Sequence, residues 1–323
     1  MRYILRRLGL FVLTVWIALT ANFALPRLMP GNPVEAKLAE MHGNFGPGAY
    51  QAFAAEFGIN TKQSGLSQYF TYLGHTASGN LGRSFFFYPE KVSTLIGDFL
   101  PWTLGLVGVC TVLSFVIGTF LGAVSAWRRG KVADSVLVPS GVMLSAMPAF
   151  WIGLLAVYFL GYELKWFPIA GAGVTAVSGF WNIIYHATLP GIVLTLTSLG
   201  SYVILMRNTT ITVLNDDFVK FARAKGLPER VIAFKYAARN AILPNFTSFA
   251  LAIGFVVSGA VAIEYVFDYN GVGYLLVVAV QNLDYPLIQG LFLVITLGVL
   301  FTIFIADLLY IFLDPRIRVA SRS

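Results

Sequence analysis

Residues able to do chemistry are few in this chain, and most stand in the wrong company for it. His42, His75 and His186 lie far apart in sequence, so no histidine metal site is expected. Cys110 is the single cysteine and sits in an apolar run, which excludes an intrachain disulfide and a cysteine metal cluster. The phosphate-loop pattern G-x-x-x-x-G-K-[ST] does not occur, so the chain does not supply a nucleotide site in that way. His186 has no flanking carboxylate and no motif tying it to a serine, which argues against a membrane enzyme. Glu264 and Asp307 are acids inside otherwise apolar stretches. Both fall near the ends of those stretches, so water-facing or headgroup-level carboxylates are expected rather than ion relays.

The richest pattern lies at 215–244. Asn215-Asp216-Asp217 offers helix caps, and Phe218–Lys225 follows without a breaker. Gly226-Leu227-Pro228 then stops the helix: the glycine suits a left-handed terminus and the proline suits the start of a new element. Glu229 falls in the next first turn, where the helix dipole favours an acid. The second helix is expected to set Val231, Phe234, Ala238 and Ile242 on one face, with Arg230 and Lys235 toward water. Leu243-Pro244 would then lead into the following apolar run. The product is a basic, amphipathic helix–corner–helix. It is either a surface element held by anionic lipid or a docking element for another protein, with Ala222, Ala224 and Gly226 allowing close approach.

The elements that must carry this corner are dictated by composition. Of 323 residues, 57% are apolar and 11% charged, against about 25% charged in soluble domains. The mean hydropathy is +0.75. A conventional soluble protein is excluded, and an all-α integral membrane protein is expected. Six stretches are long enough to span: about Leu8–Leu25, Phe99–Trp127, Ser135–Gly161, His186–Met206, Leu243–Phe267 and Leu287–Leu313. The first is read as an uncleaved helix rather than a secretory signal, because no small-x-small site follows it.

Sixteen of the 22 Lys and Arg residues fall at the termini and in the second-to-third and fourth-to-fifth loops. That bias makes those loops and both termini cytoplasmic. It also explains the net charge of +7 better than a nucleic-acid partner would. The expected organisation is a first transmembrane helix at 1–25, an extracytoplasmic region at 26–98 and a five-helix core at 99–323, with a cytoplasmic loop at 207–243. Within 26–98, Gly48–Gly58 and Leu66–Leu73 read as short helices and Gly79-Asn80-Leu81-Gly82 as a turn. Gly118-x-x-x-Gly122 marks a close helix crossing, within the chain or between subunits. Trp102, Trp151, Trp166 and Trp181 read as interfacial anchors. Phe85-Phe86-Phe87-Tyr88 would meet either another protein or the headgroups.

Asp217-Phe218-Val219-Lys220-Phe221-Ala222-Arg223-Ala224-Lys225-Gly226-Leu227, followed by Arg239-Asn240-Ala241-Ile242-Leu243-Pro244, resembles the coupling-loop signature of binding-protein-dependent ATP-binding cassette importers. More narrowly, it resembles the first-permease type of the dipeptide, oligopeptide and nickel systems. Pro30-Gly31-Asn32-Pro33, Asn80-Leu81-Gly82-Arg83-Ser84, Phe267–Leu276 and Asp314-Pro315-Arg316-Ile317-Arg318 resemble further landmarks in the same order. The general importer motif opens Glu-Ala-Ala, whereas Lys220-Phe221-Ala222 stands there; the form found here is that of the peptide branch.

The resemblance implies a type I importer permease fold with six spans, half of a translocation pathway, and no catalysis by this chain. It assigns ATPase coupling to Asp217, Phe218, Lys220, Phe221, Ala222, Arg223, Ala224, Lys225, Gly226 and Leu227, and the loop end to Asn240, Leu243 and Pro244. It implies a homologous second permease, two ATP-binding cassette subunits that carry ATP and magnesium, and an extracytoplasmic substrate-binding protein. The chain would sit in a bacterial or archaeal cell membrane. Di- or oligopeptides are the favoured cargo, with oligosaccharides or nickel as alternatives. An ion-gradient-driven carrier is the alternative from another class; it would turn on Glu264 and Asp307.

Overall fold

The computed structural model describes the backbone of residues 2–28, 64–169, 171 and 179–313, with side chains placed for 6–24, 64–169, 171 and 179–305. Pro30–Pro33, Gly48–Gly58, Asp314–Arg318 and the Asp307 side chain lie outside these. No β-strand forms among the described residues, and five helices there are long and apolar enough to cross a bilayer. A sharply bent helix pair makes a sixth span.

The chain divides into two compact units, one made of Met1–Trp102 with Gly271–Ser323 and the other of Thr103–Asn270. The first unit opens with α1 (Arg2–Leu28) and α2 (Gly65–Ala77). Ser64 caps α2 by accepting from the Ser67 amide at 3.4 Å. Gly79 and Gly82 take φ of +73° and +80°, so the expected turn is there. Helix α3 (Val92–Trp127) begins in this unit and ends in the other. Its 36 residues amount to about 54 Å, well beyond a 30 Å hydrocarbon core.

The second unit continues with α4 (Val132–Ala146) and α5 (Ala149–Ala156), the latter running on as a π-helix over Val157–Glu163. A single span was expected over Ser135–Gly161; instead the two halves meet at 97°. The bend falls at Met147-Pro148: Met147 is extended at ψ 135°, the conformation a following proline favours. Pro139 stays inside α4 without breaking it. Helix α6 (Phe180–Leu214) exceeds the expected His186–Met206 at both ends.

Next come α7 (Asp217–Ala224), α8 (Glu229–Val231), a π-turn over Ile232–Ala237, and α9 (Ala238–Phe255). The fifth span therefore runs Glu229–Ser258 rather than Leu243–Phe267. Pro244 lies inside α9, so Leu243-Pro244 is mid-helix and not a loop end. The span stops where Gly259 takes φ +69°, and α10 (Val261–Val266) follows. Back in the first unit, α11 (Val272–Gln281) and α12 (Tyr285–Leu313) close the fold.

Small residues set a close crossing in the second unit. A Cβ on Gly118 would lie 2.6 Å from the Tyr202 Cβ, and one on Gly122 would lie 2.5 Å from the Val203 carbonyl oxygen. The Gly118/Gly122 stripe thus joins α3 to α6 within the chain, closer than any side chain would allow. The first unit is built on Val92, Leu95, Ile96, Val272, Leu275, Leu287 and Leu291, all buried together. There Asn22 donates to the Gln289 carbonyl at 3.0 Å and Gln289 Nε2 donates back at 3.2 Å, binding α1 to α12.

Candidate functional site

The basic corner joins α7 to the helix that begins at Glu229. Asp216 is extended (φ −68°, ψ 152°) and occupies the N-cap of α7, but its side chain makes no capping bond. Asp217 stands in the first turn, where its carboxylate meets Lys220 Nζ at 2.9 Å. That bond holds the Asp217 carboxyl below its ordinary range. Both groups are solvent-exposed, so the pair adds little to stability.

One face of α7 is sealed. Val219 and Ala222 are buried against Ile232, with Val213, Leu214, Leu227 and Tyr236 around them. The other face is open: Phe221 is 62% exposed and Phe218 38%. Lys225 lies over the Phe221 ring at 4.6 Å. The pair leaves an aromatic ring and a cation together on the open face of α7.

The corner has the hydrogen bonds of a Schellman cap. The Gly226 amide donates to the Arg223 carbonyl at 2.9 Å and the Leu227 amide to the Ala222 carbonyl at 3.3 Å. Gly226 has φ +72°, a region closed to β-branched residues except under strain. Pro228 starts the next helix, its carbonyl accepting from Val231 and Ile232. Arg223 pairs with Glu229 at 3.2 Å across the turn. The two helices are thereby held at one angle by backbone, core and charge together.

The expected face of the second helix is displaced. Phe234 is 74% exposed, while Ile232, Ala237 and Ala241 are buried. The π-turn over Ile232–Ala237 inserts extra rotation, which carries the apolar stripe off the 3.6-residue period. Arg230 and Lys235 are exposed as expected. Asn240 is exposed and donates to its own helix at the Tyr236 carbonyl (3.3 Å), and Leu243 is 56% exposed.

Three features escaped the sequence reading. Asp134 receives Arg207 through two bonds (2.6 and 3.0 Å), Ser125 at 2.7 Å and the Gly130 amide at 3.0 Å. This ties the α3–α4 turn to α6, the helix that enters the corner. A lone acid in a short basic loop, with an arginine closing an apolar run, is the signal that could have found it. Asn245 is buried and donates to Thr119 at 2.8 Å and the Tyr202 carbonyl at 3.3 Å, joining α9, α3 and α6. Glu264 is fully buried, not water-facing, and accepts from Thr103 at 2.9 Å. The expectation failed because the span breaks at Gly259, which turns α10 and its carboxylate inward.

Among the described residues the chain is helical, with apolar helices long enough to span a bilayer, a sharply bent helix pair and a basic corner between two helices. Residues 118–319 match the binding-protein-dependent transport system inner membrane component, and the chain belongs to that family. The fold is thus that of a type I importer permease. A putative peptide permease protein of Brucella ovis is 37% identical, with 99% of each chain covered. An oligopeptide transport system permease protein of Bacillus subtilis is 33% identical, over 98% of this chain and 99% of the relative. A dipeptide transport system permease protein of Lactococcus lactis is 30% identical over the same shares. Family membership displaces the ion-driven carrier.

Proposed function

We propose that this chain forms half of the translocation pathway of an ATP-driven importer for di- and oligopeptides, in a bacterial or archaeal cell membrane. The observation that carries the coupling half is the corner itself: α7 is locked inward through Val219 and Ala222 while Phe218, Phe221 and Lys225 face outward. Asp217–Leu227 seats in a cleft of a separate ATPase. When the ATPase pair closes on ATP and magnesium, the push on α7 passes through the Gly226 corner to the helix Glu229–Ser258, and the spans follow as rigid bodies. The chain itself catalyses nothing; its partners are a homologous permease, two ATPase subunits and an extracytoplasmic binding protein. The peptide assignment draws on full-length relatives named as dipeptide and oligopeptide permeases.

The test is a gentle detergent pull-down of the tagged chain from its native membrane, followed by uptake in proteoliposomes. Recovery of a second permease and ATPase subunits, with ATP-dependent dipeptide uptake once the binding protein is added, is the expected result. Recovery of the chain alone in good yield across several detergents would contradict the assembly. Uptake of an oligosaccharide or nickel instead would overturn the cargo.

A further inference from the structure

An open cavity of about 450 Å³, with Met147 of the bend among its lining residues, lies in the second unit. Its walls come from α3, α4, α6 and α9, which contribute Thr111, Ser145, Thr197, Ser198, Ser201 and Ser248. We infer that this cavity is the stretch of substrate path built by this chain, and that its hydroxyls receive the peptide backbone rather than the peptide side chains. The inference rests on the peptide-importer reading above and specifies where and how that cargo is held.

The hydroxyls are the argument. Thr111 and Thr197 donate back to the Val107 and Val193 carbonyls at 2.7 and 2.9 Å, which leaves their oxygens free to accept. The side-chain hydroxyls of Ser145, Ser198, Ser201 and Ser248 have no hydrogen-bond partner among the described residues, though all four residues lie within apolar helices. Polar groups facing hydrocarbon are costly, so four unpaired hydroxyls converging on one space belong to a wet surface. The volume falls in the range that takes small-molecule ligands. Among the described residues, no Asp, Glu, Lys or Arg lines the space. A hydroxyl both donates and accepts, so it matches the amide N–H and C=O that every peptide shares. An uncharged wall offers no ion pair and so does not distinguish a cationic from an anionic side chain. Met147, on the bend, adds a flexible apolar surface that adapts to differing side chains. Glycines fix the wall: a Cβ on Gly200 would fall on the Gly141 carbonyl oxygen and on Ser145 Oγ, so α4 and α6 touch beside the cavity.

The test uses the complete importer in proteoliposomes with its binding protein unaltered, comparing Ala-Lys with Ala-Glu uptake. Ser198→Asp should raise the Ala-Lys to Ala-Glu ratio by about fivefold over wild type, because a carboxylate now faces the passing side chain. Thr197→Val with Ser198→Ala and Ser201→Ala should lower uptake of both peptides together. In a Cys110→Ala background, Ser198→Cys should react with a membrane-impermeant thiol reagent in the assembled importer, and saturating Ala-Ala with binding protein should slow that reaction. An unchanged ratio in a Ser198→Asp importer that still moves Ala-Ala would overturn the inference while leaving the peptide reading intact. A Ser198→Cys that stays unlabelled in the assembled importer would do the same, making this face an interface between subunits. A wild-type importer that moves no dipeptide would overturn the peptide reading first and this inference with it.

Discussion

The Asp134 carboxylate collects four donors while only 7% of the residue is exposed, and beyond it Arg207 has only a long 3.4 Å contact to the exposed Asn208 side chain among the described residues. Asp134→Ala should therefore leave a half-buried guanidinium unpaired and cost roughly 3 kcal/mol, read as a lowered thermal midpoint of the detergent-solubilised chain. Asp217 behaves differently because it is solvent-exposed. Its carboxyl is depressed by Lys220, so any stabilisation is complete above the ordinary carboxylate range of about 4 and is lost as pH falls through the lowered value. Binding of the ATPase to Asp217→Ala should match wild type at high salt and differ slightly at low salt; a large, salt-independent loss would give Asp217 a direct contact in the cleft. The corner at Gly226-Leu227-Pro228 was legible in the sequence because glycine and proline each impose a backbone state. The buried role of Glu264 was not, because burial depends on where a span breaks, and Gly259 alone does not announce that.

At the scale of elements, α7, the proposed coupling helix, is held by a small apolar cluster, which in that reading is the joint between push and span. Ile232 is fully buried at the centre of that cluster. Ile232→Ala should cost roughly 2–5 kcal/mol and raise the hydrogen-exchange rate of the 217–224 amides well above that of α6. Equal protection in both helices after the substitution would show that α7 is anchored by other means. Hydropathy found apolar helices near each expected run but not their bounds: the fifth runs Glu229–Ser258 rather than Leu243–Phe267. It could not separate Pro148, which bends its span by 97°, from Pro101, Pro139, Pro190 and Pro244, which lie inside helices. A proline frees a carbonyl in every case, and whether the helix survives depends on neighbours that satisfy it. The π-turn over Ile232–Ala237 is hidden for a similar reason: one inserted residue per turn is decided by packing, not propensity.

For the whole molecule, the charge bias of the sequence predicts a cytoplasmic basic corner and an extracytoplasmic 65–91 region. In a Cys110→Ala background, Leu66→Cys should react with an impermeant maleimide in intact cells, whereas Phe234→Cys should react only after permeabilisation. Both native side chains are 74% exposed, so access and not burial decides the result. Reaction of Phe234→Cys from outside would invert the topology.

The central claim is that the Gly226 corner converts ATPase closure into movement of the spans. It is tested most directly with Gly226→Val in the reconstituted importer, measuring dipeptide uptake and ATP hydrolysis on the same preparation. The open space around Gly226 admits a side chain, so only its φ of +72° opposes the valine. The account predicts that the ATPases still assemble and hydrolyse ATP while uptake per ATP falls at least about tenfold. Uptake per ATP equal to wild type would contradict it.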